Sequence, residues 1–212
     1  MPQEPGRLGI LIAGPWQGEA WLTTGVENGY FLVKGLVERL ASGLHAPLRF
    51  VRGSEPFLHP GTSAVVEDSK GGTIGWVGEV HPLVAQAYDL KSVVSAAELD
   101  LDALLAAAPD LISFRDLLAY PAVEQDVALV VHADLAASAV VESIRRAGGE
   151  LLQDAVVFDL YEGAQVGEGK KSIALRLTFR SAERTLSEDE VSKIRGEMLK
   201  KVSAETGAEL RG

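Results

Sequence analysis

A short lysine-bearing stretch is the first part of the sequence that could bind phosphate. Gly169-Lys170-Lys171-Ser172 is similar to the end of a phosphate-binding loop, but that motif needs a glycine where this chain has Ala164 and a hydroxyl where it has Lys171. A strand is expected to follow, so no helix N-terminus would face a bound phosphate. The pattern therefore favours a hairpin turn over a nucleotide site.

Two histidine–proline pairs, at His59 and His81, are the next candidates, for metal chemistry. Neither histidine has a second imidazole four residues on or the carboxylate of an H-E-x-x-H motif. The chain has no cysteine, which excludes disulfides, thiolate zinc sites and thiol nucleophiles. It also lacks a G-x-S-x-G elbow, and its evenly spaced Gly72, Gly75 and Gly78 differ from the dinucleotide fingerprint. We therefore expect turn or packing roles for both histidines and predict no catalytic residue and no metal site.

Basic residues cluster between Gly169 and Leu186, where Glu183 is the only acidic residue. Period-two alternation from 172 to 180 predicts a strand whose apolar face is formed by Ile173, Leu175, Leu177 and Phe179. The opposite face would carry Ser172, Ala174, Arg176, Thr178 and Arg180. Basic groups on an open face attract phosphate within a Debye length of about 8 Å. We name six candidate RNA-binding residues: Arg176, Arg180, Lys170, Lys171, Arg184 and Tyr161.

Tyr161 is included because an aromatic ring at the end of a strand can stack on an unpaired base. Another interpretation is that the arginines are solvated or paired with Asp159 and Glu162. The predicted open face also lacks the paired aromatic residues of a general RNA-recognition module. The residues by themselves leave both interpretations open.

The second half of the chain has the element order β-α-β-β-α-β. Strands are predicted over four segments: 126–131, 151–161, 171–180 and 207–211. Asp134 is expected to cap a helix that ends at Gly148-Gly149, and Ser187 and Glu190 have capping-box spacing before a second helix. This is the order of the ferredoxin-like fold, an antiparallel sheet with both helices on one face and the other face open.

The first half has a mixed pattern of helices and strands. Asn28 is expected to cap a helix over 29–42 whose leucines recur one turn apart. A hairpin that turns at Gly71-Gly72 follows, then a short helix after His81-Pro82 and a helix capped by Asp100. These elements predict an α+β protein in which antiparallel strands pack against helices on one side.

The 212 residues are enough for two compact units. Pro109 ends an alanine- and leucine-rich helix and Tyr120-Pro121 begins a new extended run, so we expect domains 1–115 and 116–212. With 20 basic and 30 acidic residues the net charge is -10, which repels nucleic acid at long range, so any RNA contact must be local. No apolar run approaches the roughly 20 residues of a membrane span, and no export signal precedes the first strand. A cytoplasmic location fits these features.

Several motifs occur in the order found in one protein family. The chain contains, in sequence, YFLVKGLVE, FLHPGTSA, IGWVGEVHP, YPAV, DVALVV, FDLYEG, GEGKKS and FRSAERTL. Together they resemble the C-terminal region of the bacterial phenylalanyl-tRNA synthetase β subunit, and the likeness covers most of the chain from about Leu8.

The resemblance implies that residues 1–115 are part of a non-catalytic module shaped like a class II synthetase core. It implies that residues 116–212 are a ferredoxin-like anticodon-binding domain. In this family the α subunit, with ATP and magnesium, activates phenylalanine and charges tRNA-Phe, while the β subunit supplies architecture, editing and tRNA contacts in an α₂β₂ assembly. The implied partners are tRNA-Phe, the α subunit and the other β-subunit domains, with no membrane and no DNA. Because the chain is several-fold shorter than a full β subunit, we expect an excised C-terminal piece without an active site.

Two departures from the family pattern concern a residue pair and a single residue. Glu124-Gln125 stands where a basic pair is usual, and Thr62 stands where arginine or another polar residue is common. Since Glu124 would repel a phosphate, we transfer only the basic positions that remain.

The resemblance favours binding of the anticodon stem-loop, weak for the isolated piece because of its charge. A second hypothesis is a structural module that docks on the α subunit or on other β domains through exposed aromatic residues such as Trp16, Trp21, Tyr30 and Phe31. A free-standing enzyme is a third, and no nucleophile, metal set or phosphate loop supports it.

Overall fold

The computed structural model describes residues 4–18, 21, 25–53, 55–109, 111, 120–163 and 165–211. The chain divides into two units, Met1–Phe114 and Arg115–Gly212, and each has its own hydrophobic core. The boundary expected near residue 115 lies in the segment 112–119, outside the described residues. In the part of the chain that is described, no helix is both long and apolar enough to cross a membrane.

The first unit combines a five-stranded antiparallel sheet with helices. Its elements are β1 (Arg7–Ala13), α1 (Tyr30–Gly43), β2 (Leu48–Arg52), β3 (Leu58–Asp68), β4 (Thr73–Val80), α2 (Pro82–Ala87), β5 (Val94–Asp100) and α3 (Leu101–Ala107). The strand order is β1-β5-β4-β3-β2. The register places Ile10, Ala97, Val77 and Ala64 in one row across four strands. This row packs with the buried valines of α1, Val33 and Val37, in the core of the unit.

The start of α1 corrects one sequence prediction. Asn28 does not cap the helix, since the N-cap residue is Gly29 and its successor, Tyr30, donates its backbone N–H to the Glu79 carboxylate of β4 at 2.9 Å. The Asn28 amide instead donates to the carbonyls of Ile12 at 2.9 Å and Val93 at 2.8 Å. A distant carboxylate can replace a local cap because both satisfy an orphan N–H of the first turn.

The other short-range signals in this unit are confirmed. Gly71 has φ 85° in the hairpin between β3 and β4, the region that favours glycine. The Asp100 carboxylate accepts the Ala103 N–H at 2.9 Å and caps α3. His81 lies at the start of α2, where its Nδ1 accepts the Leu83 N–H, whereas His59 lies within β3 and its Nδ1 accepts the Gly61 N–H, each at 3.1 Å.

The second unit has the predicted ferredoxin-like order. Its elements are β6 (Val123–His132), α4 (Ala137–Gly148), a short 3-10 helix (Gly149–Leu151), β7 (Leu152–Tyr161), β8 (Lys170–Phe179), α5 (Glu188–Thr206) and β9 (Glu209–Leu210). The strand order is β7-β8-β6-β9, with every neighbouring pair antiparallel. Side chains of α4 and α5, among them Val140, Ile144, Val191 and Met198, pack on one face of this sheet.

The predicted inner face of β8 is confirmed. Its members are all 0% exposed: Ile173, Leu175, Leu177 and Phe179. The Ser187 hydroxyl accepts the Glu190 N–H at 3.3 Å and caps α5, also as predicted. Asp134 does not cap α4, because the chain first makes a turn in which the Asp134 N–H contacts Nδ1 of His132, and the helix begins three residues later at Ala137.

We predict that Gly75→Ala destabilises the first unit by about 3 kcal/mol, because an added Cβ would lie 2.0 Å from the Glu98 carbonyl oxygen of β5. Gly35→Ala is the control: nothing among the described residues lies within 4 Å of its Cβ, and replacing a glycine inside α1 should stabilise by about 0.5–1 kcal/mol. Urea unfolding followed by tryptophan fluorescence measures both, since all three tryptophans belong to this unit. Equal stability of Gly75→Ala and the wild type would contradict the close approach.

Candidate RNA-binding surface

The candidate site lies on the face of the second sheet that points away from α4 and α5, called here the open face. Because β8 buries every second side chain against the helices, the intervening positions must point to the open face. The register therefore aligns Asp126 of β6 with Arg176 of β8 and Val156 of β7, and, further along, Ala128 with Ala174 and Asp159.

Arg176 makes two contacts on the open face. Its Nε and Nη2 donate to the two carboxylate oxygens of Asp126, each at 2.9 Å. Its Cζ also lies 5.5 Å from the ring centroid of Phe158, within the range of a cation–π interaction. The guanidinium is thus held by a carboxylate at its edge and lies near an aromatic ring, while the Arg176 side chain stays 50% exposed.

This pairing changes the ionisation of both groups. The hydrogen bonds from Arg176 lower the pKa of the Asp126 carboxyl below its ordinary value, because they stabilise the ionised form. The same bonds and the nearby negative charge raise the pKa of Arg176. Both groups are therefore charged at neutral pH, and the charge of Arg176 is largely matched by that of Asp126.

Tyr161 has a similar environment. The Arg211 Cζ lies 5.3 Å from the centroid of its ring, and Nη2 of Arg211 donates to Oε1 of Gln165 at 2.9 Å. The backbone N–H of Arg211 is bound to the Ala128 carbonyl on β6, whereas Tyr161 is on β7. The Arg211 side chain therefore extends across the sheet towards the ring of Tyr161.

The remaining predicted cations are placed differently. Lys170 lies 3.4 Å from the Glu209 carboxylate, while Lys171 aligns with the buried Val131 and so belongs to the helix side. Arg184 pairs with Glu190 in the first turn of α5, and this contact raises the pKa of Arg184. Arg180 follows the end of β8, and its Nε is buried without a hydrogen-bond partner among the described residues.

Of the six predicted residues, the open face therefore brings together Tyr161, Arg176 and Lys170, and not Lys171 or Arg184, while Arg180 follows the end of β8 with its Nε buried. The interpretation of the basic groups as unpaired charges is wrong for Arg176, Lys170 and Arg184, because each has a carboxylate partner. Ion pairing was the other interpretation, but Asp126 takes the place of the expected Asp159 and Glu162.

Sequence reasoning missed two residues of the open face, Phe158 and Arg211. Phe158 is 55% exposed, so the expectation that the face lacks a second aromatic ring is wrong. Phe158 and Tyr161 are three positions apart and would face opposite ways in a regular strand. The register shift between Val157 and Asp159 marks a bulge that puts both on the open face. A bulge has no sequence signal here, and Arg211 could be placed only once β9 was known to lie beside β6.

Two family models match the chain, one over each unit. Residues 119–211 match the ferredoxin-fold anticodon binding domain, and residues 1–101 match the phenylalanyl tRNA synthetase beta chain CLM domain. The first match contains the whole of the described open face.

The chain is also similar over its whole length to curated proteins. It is 38% identical to the phenylalanine–tRNA ligase beta subunit of Shouchella clausii, and 37% identical to those of Symbiobacterium thermophilum and Bacillus subtilis. Each alignment covers 100% of this chain, and 26%, 24% and 26% of the respective relative. The chain thus spans about a quarter of the length of the curated relatives it matches.

The pairing of Asp126 with Arg176 gives a test by pH titration. A carboxyl whose pKa is lowered by folding stabilises the fold above the ordinary carboxyl pKa, and this contribution is lost as the pH falls through the lowered value. We predict that Arg176→Gln raises the pKa of Asp126 towards its ordinary value, as measured by NMR titration of the side-chain carboxyl. Asp68 is the control, because its pKa is lowered by the backbone N–H groups of Gly72 and Lys70. An Asp126 titration that Arg176→Gln leaves unchanged would refute the pairing.

Proposed function

The chain belongs to the family of phenylalanyl-tRNA synthetase β chains, as its motifs predicted, and from this we propose that its second unit binds the anticodon stem-loop of tRNA-Phe. In this role it supports aminoacylation by the α subunit of a phenylalanine–tRNA ligase. The observation that carries the proposal is the match of residues 119–211 to an anticodon-binding domain whose open face holds two aromatic rings beside guanidinium groups.

The chemistry of the open face suits an unpaired RNA loop. Bases that are splayed out of a loop stack on aromatic rings and on guanidinium planes, and both kinds of surface are present at Tyr161 with Arg211. Stacking does not depend on net positive charge, so it can act in a chain whose net charge is -10.

The charge balance predicts the strength of this binding. Non-specific attraction to RNA comes from unpaired cations, and on the open face Lys170 and Arg176 are already matched by Glu209 and Asp126. A phosphate must therefore compete with a carboxylate for either group. We expect weak binding by the chain alone, with most phosphate contacts supplied by other parts of the ligase.

We assign the first unit a non-catalytic role as a module shaped like a class II synthetase core. ATP and magnesium are proposed for the whole ligase. In the described ranges, no cluster of three or more histidine, aspartate or glutamate side chains could hold a metal ion. We place the ligase in the cytoplasm, a setting that a chain without cysteine suits.

An interaction role for the first unit is the second candidate function. Large apolar side chains are unusually exposed there: Trp21 is 92% exposed, Phe31 81%, Leu11 74% and Trp16 54%. Tyr30, expected in the same group, is half-buried instead and packs against the core of the unit, where burial raises the pKa of its hydroxyl. Exposed apolar residues of this size favour a protein partner, and we propose the α subunit or other β-subunit domains.

For RNA binding we predict that Tyr161→Ala weakens the affinity for an anticodon stem-loop of tRNA-Phe about tenfold, the loss expected for one base stack. The salt dependence should not change, because no phosphate contact is removed. Filter binding at several salt concentrations measures both quantities. Tyr88→Ala is the control, since Tyr88 is 76% exposed in the first unit and should have no effect. Equal affinity of Tyr161→Ala and the wild type would contradict a site at this ring.

For the docking role we predict that the chain forms a complex with the α subunit. Light scattering measures the mass of this complex. Phe31→Gln removes an exposed aromatic side chain of α1 and should weaken the complex about tenfold, as expected when a buried anchor is lost. Leu160→Gln, a similar change on the second unit, should have no effect. Failure of the wild-type chain to associate with the α subunit would remove this candidate.

A further inference from the structure

We propose that Phe158, Arg176 and Asp126 form a second base-stacking platform on the open face. It would take a nucleobase of the same RNA loop, next to the base that stacks on Tyr161. The inference rests on the proposed function and adds a binding role for Phe158. It also gives Arg176 a role in which a base stacks on the guanidinium plane, and not one in which its charge attracts a phosphate.

The bulge in β7 is the first argument. Functional sites often lie beside bulges, because the extra residue turns a side chain towards a face that regular alternation denies it. Phe158 and Leu160 are two positions apart and would share a face in a regular strand. In the structure, Leu160 aligns with Ile173 on the helix side, whereas Phe158 contacts Arg176 on the open face. Without the bulge Phe158 would share the side of Leu160, and the open face would have one aromatic ring at this strand.

The geometry of Arg176 is the second argument. Its Nε and Nη2 both donate hydrogen bonds to Asp126, so two of the donors that a guanidinium uses to bind phosphate are occupied. The flat faces of the group carry no such bonds, and its Cζ lies 5.5 Å from the centroid of the Phe158 ring. With the Arg176 side chain 50% exposed and Phe158 55% exposed, a planar surface is open to solvent at this point.

Asp126 acts through Arg176 as a positioning residue. A fork of two equal 2.9 Å hydrogen bonds fixes the rotation of the guanidinium as well as its place. A lysine could satisfy the charge of Asp126 but has no plane to present, so arginine and lysine should not be interchangeable here.

The spacing of the two rings fits neighbouring bases. Three residues of a strand span roughly 10 Å, and the bulge shortens this distance between Phe158 and Tyr161. Proteins that bind single strands commonly stack successive bases on separate aromatic side chains, with little dependence on base identity. The ligand class is therefore a nucleobase of a single-stranded loop, of any type.

The test uses the full chain and anticodon stem-loop RNAs in which one loop base at a time is replaced by 2-aminopurine, whose fluorescence is quenched by stacking. In the wild type we expect quenching at two neighbouring loop positions. Phe158→Ala should relieve it at one position and Tyr161→Ala at the other. Phe158→Ala should also weaken binding about tenfold with an unchanged salt slope. Leu160→Ala, on the same strand with 52% exposure but on the helix side, is the matched control.

Substitutions of Arg176 distinguish the contribution of the guanidinium plane from that of its charge. Arg176→Lys should weaken binding several-fold and leave the salt slope unchanged, and Asp126→Asn should reduce the quenching beside Phe158 by loosening the guanidinium. The platform would be overturned if Phe158→Ala or Arg176→Lys bound the stem-loop with the affinity of the wild type. It would also be overturned if Arg176→Gln lowered the salt dependence of binding by about one unit, because that change indicates a phosphate contact. If Tyr161→Ala still weakens binding in that case, the proposed function stands without this platform. If the wild-type chain binds no stem-loop, the proposed function and the platform both fall.

Discussion

Burial of one face of β8 is the constraint on which the second unit depends. Four large side chains of that strand, from Ile173 to Phe179, have no exposed surface, and all four pack against α4 and α5. A shift of one residue would expose all of them, so the register of β8 with β6 and β7 is fixed. The side chains between these four must point to the open face, because successive residues of a strand face opposite ways. The hydrophobic core therefore determines the position of Arg176.

The open face shows how an acidic protein can present cationic groups. Arginine differs from lysine in having a plane as well as a charge, and a carboxylate at the edge of the guanidinium can match the charge while leaving the plane free. Asp126 does this for Arg176, and the neutral amide of Gln165 is the partner of Arg211. At Arg176, base stacking is therefore favoured over phosphate attraction as the interaction with RNA.

Features set by local chemistry were predictable from the sequence. Alternation gave the two faces of β8, and the caps at Asp100 and Ser187 lie where helix-start signals placed them. Features set by tertiary contacts were not: Glu79 replaces Asn28 at the start of α1, and Asp126 holds Arg176 from another strand. The bulge that exposes Phe158 also had no sequence signal, because it interrupts the alternation of β7 without a glycine or proline to mark it.

The central claim is that the open face, and no other surface of the second unit, meets the anticodon loop. Mapping the chemical shifts of the backbone amides and alanine methyl groups during titration with an anticodon stem-loop of tRNA-Phe tests it most directly. We predict that the shifts change at Ala128, Ala174, Phe158 and Tyr161 and stay constant along α4 and the solvent side of α5. Changes confined to the helices, with the alanines of the open face unaffected, would contradict the account.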